Sequence, residues 1–153
     1  MKKYLAVFFL VIIVAVAGCI WYQKTYPTIL VATHNMGRDG FISNVLIKNP
    51  PLTDKGKINW WKQNADKFRE KYNVPDSNVK GFFYIKIWDF ADGYKELEKY
   101  DRLCFDDMKT KKNCIDKNWV MTIENTRGGG MQYDIGEVSY VEGENGKLIK
   151  QED

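Results

Sequence analysis

The sequence predicts an α+β protein: an N-terminal membrane-spanning helix followed by one small domain with a mainly antiparallel sheet packed against one amphipathic helix. Three observations predict this class. An uncharged apolar run opens the chain, short β-branched segments are separated by turn residues, and one polar segment carries apolar residues at helical spacing. The composition therefore divides the chain into a membrane anchor or signal segment, residues 1–24, and a domain, residues 25–153.

The opening apolar run extends from Tyr4 to Tyr22 without a charged or amide side chain. As an α-helix that rises about 1.5 Å per residue, it nearly matches a hydrocarbon core about 30 Å thick. Three interpretations stay open: a signal peptide cut after Ala17, a lipoprotein signal that leaves Cys19 as a lipidated first residue, and an uncleaved membrane span. The uncleaved span is favoured because the run continues past both cleavage motifs and ends in Trp21 and Tyr22, aromatic residues that prefer the headgroup layer.

The charges that flank this run predict its orientation. Lys2 and Lys3 precede it and Lys24 follows it, so the positive-inside rule places the amino terminus in the cytoplasm and the domain in the periplasm, anchored in the inner membrane. The same three lysines supply the whole formal net charge of +3. The domain is therefore formally neutral, and it lacks the basic surface that nucleic-acid binding requires.

Cysteine usage agrees with an exported domain. Apart from Cys19, the chain carries Cys104 and Cys114, and an even pair in an exported domain predicts a disulfide. The alternative is two unrelated buried thiols. Zinc binding is disfavoured, because the single histidine, His34, is far from the pair in sequence and no further ligand has suitable spacing.

The first half of the domain is predicted to contain a hairpin and the helix. Residues 29–34 and 41–48 are β-branched runs on either side of a turn at residues 35–40, which contains two glycines and an Asn/Asp pair. The helix follows the prolines at 50–51, begins with Thr53 as a cap and ends before Pro75. Five apolar residues at spacings of three and four form its inner face: Ile58, Trp61, Ala65, Phe68 and Tyr72. Trp60 lies on the flank of this face, either partly buried or in contact with a partner.

The second half of the domain is predicted to be β-structure. Residues 81–90 alternate as a strand with Phe83, Ile85 and Ile87 on one face. Residues 100–105 and 119–125 are two further candidate strands, and residues 131–150 predict a final hairpin with a turn at Asn145-Gly146. We expect the helix to cover one side of the resulting sheet.

Residues with catalytic potential are few. The lone His34 lies beside a predicted turn, which favours a structural or solvent-exposed role over a catalytic one. Carboxylates cluster at Asp89 and Asp92 and at Asp106 and Asp107, and such groups can hold a cation or share a proton. The stronger interpretation is that they cap turns, because the calcium-loop pattern is absent. We therefore predict no enzyme activity, no metal and no cofactor.

Several segments resemble a known family. Residues 46–64 (LIKNPPLTDKGKINWWKQN), residues 84–96 (YIKIWDFADGYKE) and residues 100–118 (YDRLCFDDMKTKKNCIDKN) look like the small enterobacterial membrane proteins of domain of unknown function 943. The resemblance covers about residues 29–126 and implies an N-terminal membrane anchor, from which the lipobox-like sequence at Cys19 departs. It brings no active site. Members are often found near type VI secretion and toxin-delivery loci, which implies an immunity protein.

Three functions follow from these observations. The first is an anchored periplasmic binding protein, such as an immunity protein that neutralises a secreted, type VI-like toxin acting at the envelope. Its candidate partner-binding residues are Trp60, Asp89, Asp92, Asp106 and Asp107. The second is an accessory subunit of an envelope protein complex, without enzymatic activity. The third, a hydrolase, needs carboxylates that converge in one cleft. The partners expected are a protein and the inner membrane.

Overall fold

A computed structural model describes residues 2–36, 41–143 and 145–152 of the chain. Within these residues there are two helices and nine strands. In chain order they are α1 (Lys2–Thr25), β1 (Ile29–Met36), β2 (Ile42–Lys48), α2 (Asp54–Tyr72), β3 (Tyr84–Asp89), β4 (Arg102–Cys104), β5 (Cys114–Asp116), β6 (Trp119–Asn125), β7 (Met131–Ile135), β8 (Val138–Glu142) and β9 (Leu148–Glu152).

Helix α1 contains the whole apolar run. The segment Lys3–Thr25 is long and apolar enough to cross a membrane, and the rest of the described protein buries none of it. The two possible cleavage positions, after Ala17 and before Cys19, lie within this continuous helix. The N-terminal helix of the predicted fold class is therefore present, as a candidate membrane span.

Seven strands form one sheet in the order β1-β2-β3-β6-β7-β8-β9, while β4 and β5 form a separate two-stranded hairpin. All neighbouring pairs are antiparallel except β2 and β3, which run parallel. Parallel neighbours need a long crossover connection, and helix α2 provides it. The prediction of a mainly antiparallel sheet with a second helix is confirmed.

Helix α2 begins where the sequence predicts. Thr53 has an extended backbone, and its side-chain oxygen accepts a hydrogen bond from the Gly56 amide at 3.1 Å. Asn73 ends the helix in the left-handed conformation, with φ 52°. Ile58, Trp61 and Phe68 are buried against the sheet, so the predicted inner face is confirmed.

The sheet has a core on each face of its central strands. On the α2 side, the helix packs on Val45, Ile47, Ile85 and Ile87 of β2 and β3, and the core continues along β6 and β7. On the opposite side, the β4–β5 hairpin brings Phe105 and Ile115 against Leu46 and Trp88. Helix α2 covers one side of the sheet, as expected, and the hairpin covers the other side of β2 and β3, because these strands carry apolar residues on both faces.

The terminal hairpins differ in how closely they match the sequence. Strands β1 and β2 pair antiparallel as predicted, although residues 37–40 of their predicted turn lie outside the described residues. Residues 131–150 were predicted as one hairpin, which is wrong: they form β7, β8 and most of β9. The additional turn lies at Gly136, whose φ of 60° suits a residue without a side chain. The turn at Asn145-Gly146 then joins β8 to β9.

We predict that Thr53→Ala lowers the free energy of unfolding by about 1 kcal/mol, because the first turn of α2 loses its side-chain cap. Thr53→Ser keeps a hydroxyl at the same position and is the matched control. Urea denaturation of the full-length protein in detergent, followed by tryptophan fluorescence, measures the difference. Equal midpoints for the two variants would contradict the assignment of Thr53 as the cap.

Candidate functional site

Three surfaces or clusters of the domain carry side chains with functional potential: the end of the sheet beside α1, the buried surroundings of His34, and the opposite end of the sheet. The first is formed where β1 begins and where β2 and β3 end. Hydrogen bonds fix the connection to α1 there. The Thr28 hydroxyl donates to the Asn49 carbonyl at 2.6 Å, and the Asn49 side-chain amide donates to the Pro27 carbonyl at 3.3 Å.

A groove of about 300 Å³ opens beside this connection, and we call it the anchor groove. Its walls come from the end of α1, the connection from α1 to β1, the loop after β2 and the first three turns of α2. Trp60 lines it and is half-buried, with its ring 5.8 Å from that of Phe68. Twelve residues line the groove, and none carries a formal charge: Tyr22, Gln23, Tyr26, Pro27, Thr28, Asn49, Pro50, Pro51, Gly56, Asn59, Trp60 and Gln63.

Two of the candidate aspartates lie at the end of β3 and in the turn that follows it. Asp89 ends β3 beside an open groove that Tyr22, Lys48 and Leu52 also line. Its carboxylate accepts a hydrogen bond from the Ala91 amide at 3.1 Å, as expected of a residue that stabilises a turn. Asp92 is exposed, and its carboxylate lies 3.4 Å from the Lys95 ammonium group.

His34 is the centre of a partly buried hydrogen-bonded chain, which we call the His34 cluster (His34, Tyr94, Phe105 and Asp107); the Asp107 side chain, at its outer end, is 51% exposed. The side chain of His34 is buried, with 6% of the residue exposed. Its Nδ1 lies 2.9 and 2.8 Å from the two carboxylate oxygens of Asp107, and its Nε2 lies 2.9 Å from the Tyr94 hydroxyl. The imidazole stacks on Phe105 with ring centroids 3.9 Å apart.

The tautomer of His34 determines the roles of the three polar groups. With Nδ1–H donating to the Asp107 carboxylate, Nε2 accepts a hydrogen bond from the Tyr94 hydroxyl. Burial, followed by the negative charge of Asp107, raises the pKa of Tyr94 above its usual value of 10.0. The phenol therefore stays protonated at neutral pH and is a poor nucleophile. Its position serves to connect the loop after β3 with strand β1.

The sequence pattern did not indicate that His34 and Asp107 meet, because 73 residues separate them. The available signal was the alternation in β1, which places His34 on the same face as Ala32 and Met36, two residues that pack against the second core. Asp106, next to Asp107, is exposed and its side chain has no partner among the described residues. The two neighbouring aspartates are thus placed in different surroundings.

The buried face beside His34 carries a further polar side chain. Asn44, directly across from His34 in the sheet, accepts a hydrogen bond from Trp88 Nε1 at 2.8 Å. Within the described part of the chain, its Nδ2 atom has no hydrogen-bond partner. An unpaired buried amide nitrogen costs free energy, so the surrounding packing must offset that cost.

The β4–β5 hairpin is held by covalent and ionic contacts. The sulfur atoms of Cys104 and Cys114 lie 2.12 Å apart, at disulfide distance. Next to them, the Asp116 carboxylate lies 2.5 Å from Lys95 Nζ and 2.9 Å from Arg102 Nε. The hydrogen bonds from Lys95 and then Arg102 lower the pKa of Asp116 below its usual value of 3.8. No group of three or more residues suited to metal binding occurs within the described ranges.

The opposite end of the sheet carries exposed aromatic residues, which we call the distal aromatic patch (Phe41, Phe82 and Tyr84). Their exposed fractions are 39%, 52% and 36%. The Tyr84 amide donates to the Phe41 carbonyl at 2.8 Å, and the two rings make an edge-to-face contact with centroids 6.5 Å apart. These residues lie at the starts of β2 and β3, whereas the anchor groove lies beyond the strand ends.

Comparisons with known proteins give one match. The family model described as "Enterobacterial putative membrane protein (DUF943)" matches residues 1–152. No curated protein and no solved structure matches the chain. The match covers both the apolar helix α1 and the folded domain.

We predict that Asp107→Asn lowers the free energy of unfolding by about 1 kcal/mol, because the His34 imidazole loses its charged acceptor. The adjacent Asp106→Asn removes the same charge from a side chain without a described partner, and it should change stability by less than about 0.5 kcal/mol. Urea denaturation of both variants at pH 7 provides the comparison. Equal losses in the two variants would show that net charge, rather than the His34 contact, matters.

Proposed function

Because the chain belongs to the enterobacterial membrane proteins of domain of unknown function 943, we propose that it is a single-pass inner-membrane protein whose periplasmic domain binds a protein partner. Lys2 and Lys3 before the apolar helix, with Lys24 alone close behind it, support this orientation. The disulfide-distance pair Cys104 and Cys114 also supports it, because such bonds persist in the oxidising periplasm.

The observation that carries the binding proposal is the distal aromatic patch. Phe41, Phe82 and Tyr84 are exposed at the end of the sheet where β2 and β3 begin. Aromatic residues are enriched at the centres of protein interfaces, where a few of them supply most of the binding free energy. The patch also lies at the end of β2 and β3 opposite α1, where a partner meets no membrane.

Binding, rather than catalysis, is supported by the surroundings of the polar residues. Asp89 stabilises a turn, Asp107 contacts His34, and Asp116 is held by two basic side chains. The raised pKa of Tyr94 leaves the His34 cluster without an activated nucleophile. Each of these carboxylates makes a separate contact within the fold, whereas a hydrolase needs two carboxylates that act on one substrate.

We propose more specifically that the partner is a toxin, secreted by a type VI-like system, that acts at the envelope, which makes the protein an immunity protein. An accessory subunit of an envelope complex is the second candidate. It is favoured by strand β1, an edge strand whose Ile29 and Val31 are exposed, because such an edge can pair with a strand of another protein. In that case β1, rather than the distal aromatic patch, would be the interface.

The proposed topology predicts that alkaline phosphatase fused after Asp153 is active in cells, while a green fluorescent protein fused there is dark. The activity of each reporter depends on its compartment. Alkaline phosphatase needs disulfide bonds, which form in the periplasm, whereas the fluorescent protein folds poorly after it has been exported in an unfolded state. In the same cells, Cys104 and Cys114 should resist alkylation until a reductant is added. An inactive phosphatase together with free thiols at both positions would contradict the proposed orientation.

The immunity proposal predicts that cells without this gene are killed by the secreted effector of sibling cells and are rescued by the wild-type gene. Phe82→Ala combined with Tyr84→Ala should abolish rescue, because the interface loses its aromatic anchors. Leu97→Ala, which removes a similarly exposed apolar side chain elsewhere, is the control and should rescue fully. Full resistance of the deletion strain to every such effector would exclude immunity and leave the accessory role.

A further inference from the structure

We propose that the anchor groove binds the zwitterionic headgroup of a phospholipid, of the phosphoethanolamine type, from the leaflet in which helix α1 ends. This inference rests on the proposed function in one respect: helix α1 must span the membrane. It adds a ligand site that lies apart from the distal aromatic patch.

The first argument is position. The apolar run ends at Tyr22, and the groove begins with Tyr22 and Gln23. A bilayer about 40–45 Å thick with a core of about 30 Å leaves about 5–7 Å for each headgroup layer. The helix from Tyr22 to Thr25 rises about 5 Å, so the groove begins within that layer. Apart from water, a phospholipid headgroup is therefore the molecule present at the groove at the highest local concentration.

The second argument is the chemistry of the walls. The side-chain amides of Gln23, Asn59 and Gln63 line the groove, and none of them has a hydrogen-bond partner among the described residues. Amide N–H groups suit the phosphate and glycerol-ester oxygens of a lipid. The aromatic side chains of Tyr22 and Trp60 also line the groove, and aromatic rings attract an ammonium group through cation–π interaction. Because no lining residue is charged, the groove matches a zwitterion better than an anionic headgroup.

The third argument is the loop next to the groove. Leu52 is 57% exposed and follows Pro50 and Pro51, which restrict the loop. Leu52 and Tyr22 line the neighbouring groove together with Lys48, whose ammonium group suits a lipid phosphate. An exposed leucine beside the end of a membrane helix is stabilised by entering the apolar part of the interface. The loop would then hold the anchor groove at headgroup depth.

The shape of the anchor groove depends on Gly56, because any larger residue at this position would change it. A side chain at Gly56 would place its first carbon 2.9 Å from Thr53 Oγ1 and 3.3 Å from the Pro51 side chain. The glycine therefore lets the proline loop approach the first turn of α2 and close one side of the groove. Asn59 and Gln63, one turn apart, form the other side.

The depth of the loop is tested with the full-length protein in nanodiscs of phosphatidylethanolamine and phosphatidylglycerol. Cys19→Ser first removes the free thiol. A nitroxide label is then attached to the new cysteine of the Leu52→Cys variant. Phe82→Cys, at the opposite end of the sheet, is labelled in the same way as the control. We expect a nickel-chelating lipid headgroup to relax the label at position 52 strongly and the label at position 82 weakly. Equal relaxation at both positions, or spin–spin broadening between two copies at position 52, would overturn the proposal.

Headgroup binding is tested by native mass spectrometry of the full-length protein released from the same nanodiscs. We expect the wild type to retain one phosphatidylethanolamine, and Asn59→Ala combined with Gln63→Ala to weaken retention about tenfold, the effect of losing roughly two neutral hydrogen bonds. Lys67→Ala combined with Glu70→Ala changes exposed residues of the same helix outside the groove and should retain the lipid. Equal retention by the two double variants, or retention of phosphatidylglycerol alone, would overturn the proposal.

The alkaline phosphatase fusion separates the two possible failures. An active fusion combined with no lipid retention rejects the headgroup site and leaves the membrane topology intact. An inactive fusion, together with a protein that washes from the nanodiscs, rejects the proposed topology and the headgroup site with it.

Discussion

Burial of both faces of strands β2 and β3 is the constraint on which the rest of the fold depends. Val45 and Ile47 point to one core, Leu46 to the other, and Ile87 and Trp88 are divided in the same way. A strand pair that is apolar on both faces cannot face water on either side. Helix α2 therefore crosses over one face, and the β4–β5 hairpin covers the other. Strand β1 also contributes to the core under the hairpin through Ala32 and Met36, whereas β6 and β7 continue the core on the α2 side.

The sequence predicted those elements whose stabilising contacts are local. The apolar residues of α2 recur every three or four positions, and Thr53 and Pro75 mark the two ends of this pattern. The position of the helix therefore followed from the sequence. Strand β5 was not predicted, because Cys114–Asp116 lies within a charged segment and no apolar run marks it. The turn at Gly136 was missed because one glycine between two apolar segments is a weak signal compared with Asn145-Gly146.

The candidate sites were less predictable, because they depend on contacts between distant parts of the chain. The sequence indicated Trp60 and Asp89 as partner-binding candidates, but not that both lie at the end of the sheet beside α1. It likewise indicated Asp106 and Asp107 as a pair, whereas the fold directs Asp107 to His34 and leaves Asp106 in solvent. The burial of His34 requires the β4–β5 hairpin to be in place, and no local pattern carries that information.

The connection between α1 and β1 determines how far the domain extends from the membrane. Three residues, Tyr26, Pro27 and Thr28, separate the helix from the first strand, and Asn49 holds two of them by hydrogen bonds. A seven-residue strand such as β2 spans about 23 Å, so the far end of the sheet stays within a few nanometres of the bilayer. With α1 as the membrane span, a domain tethered this closely stays at the surface of the membrane that holds it, so a binding partner has to come to that surface.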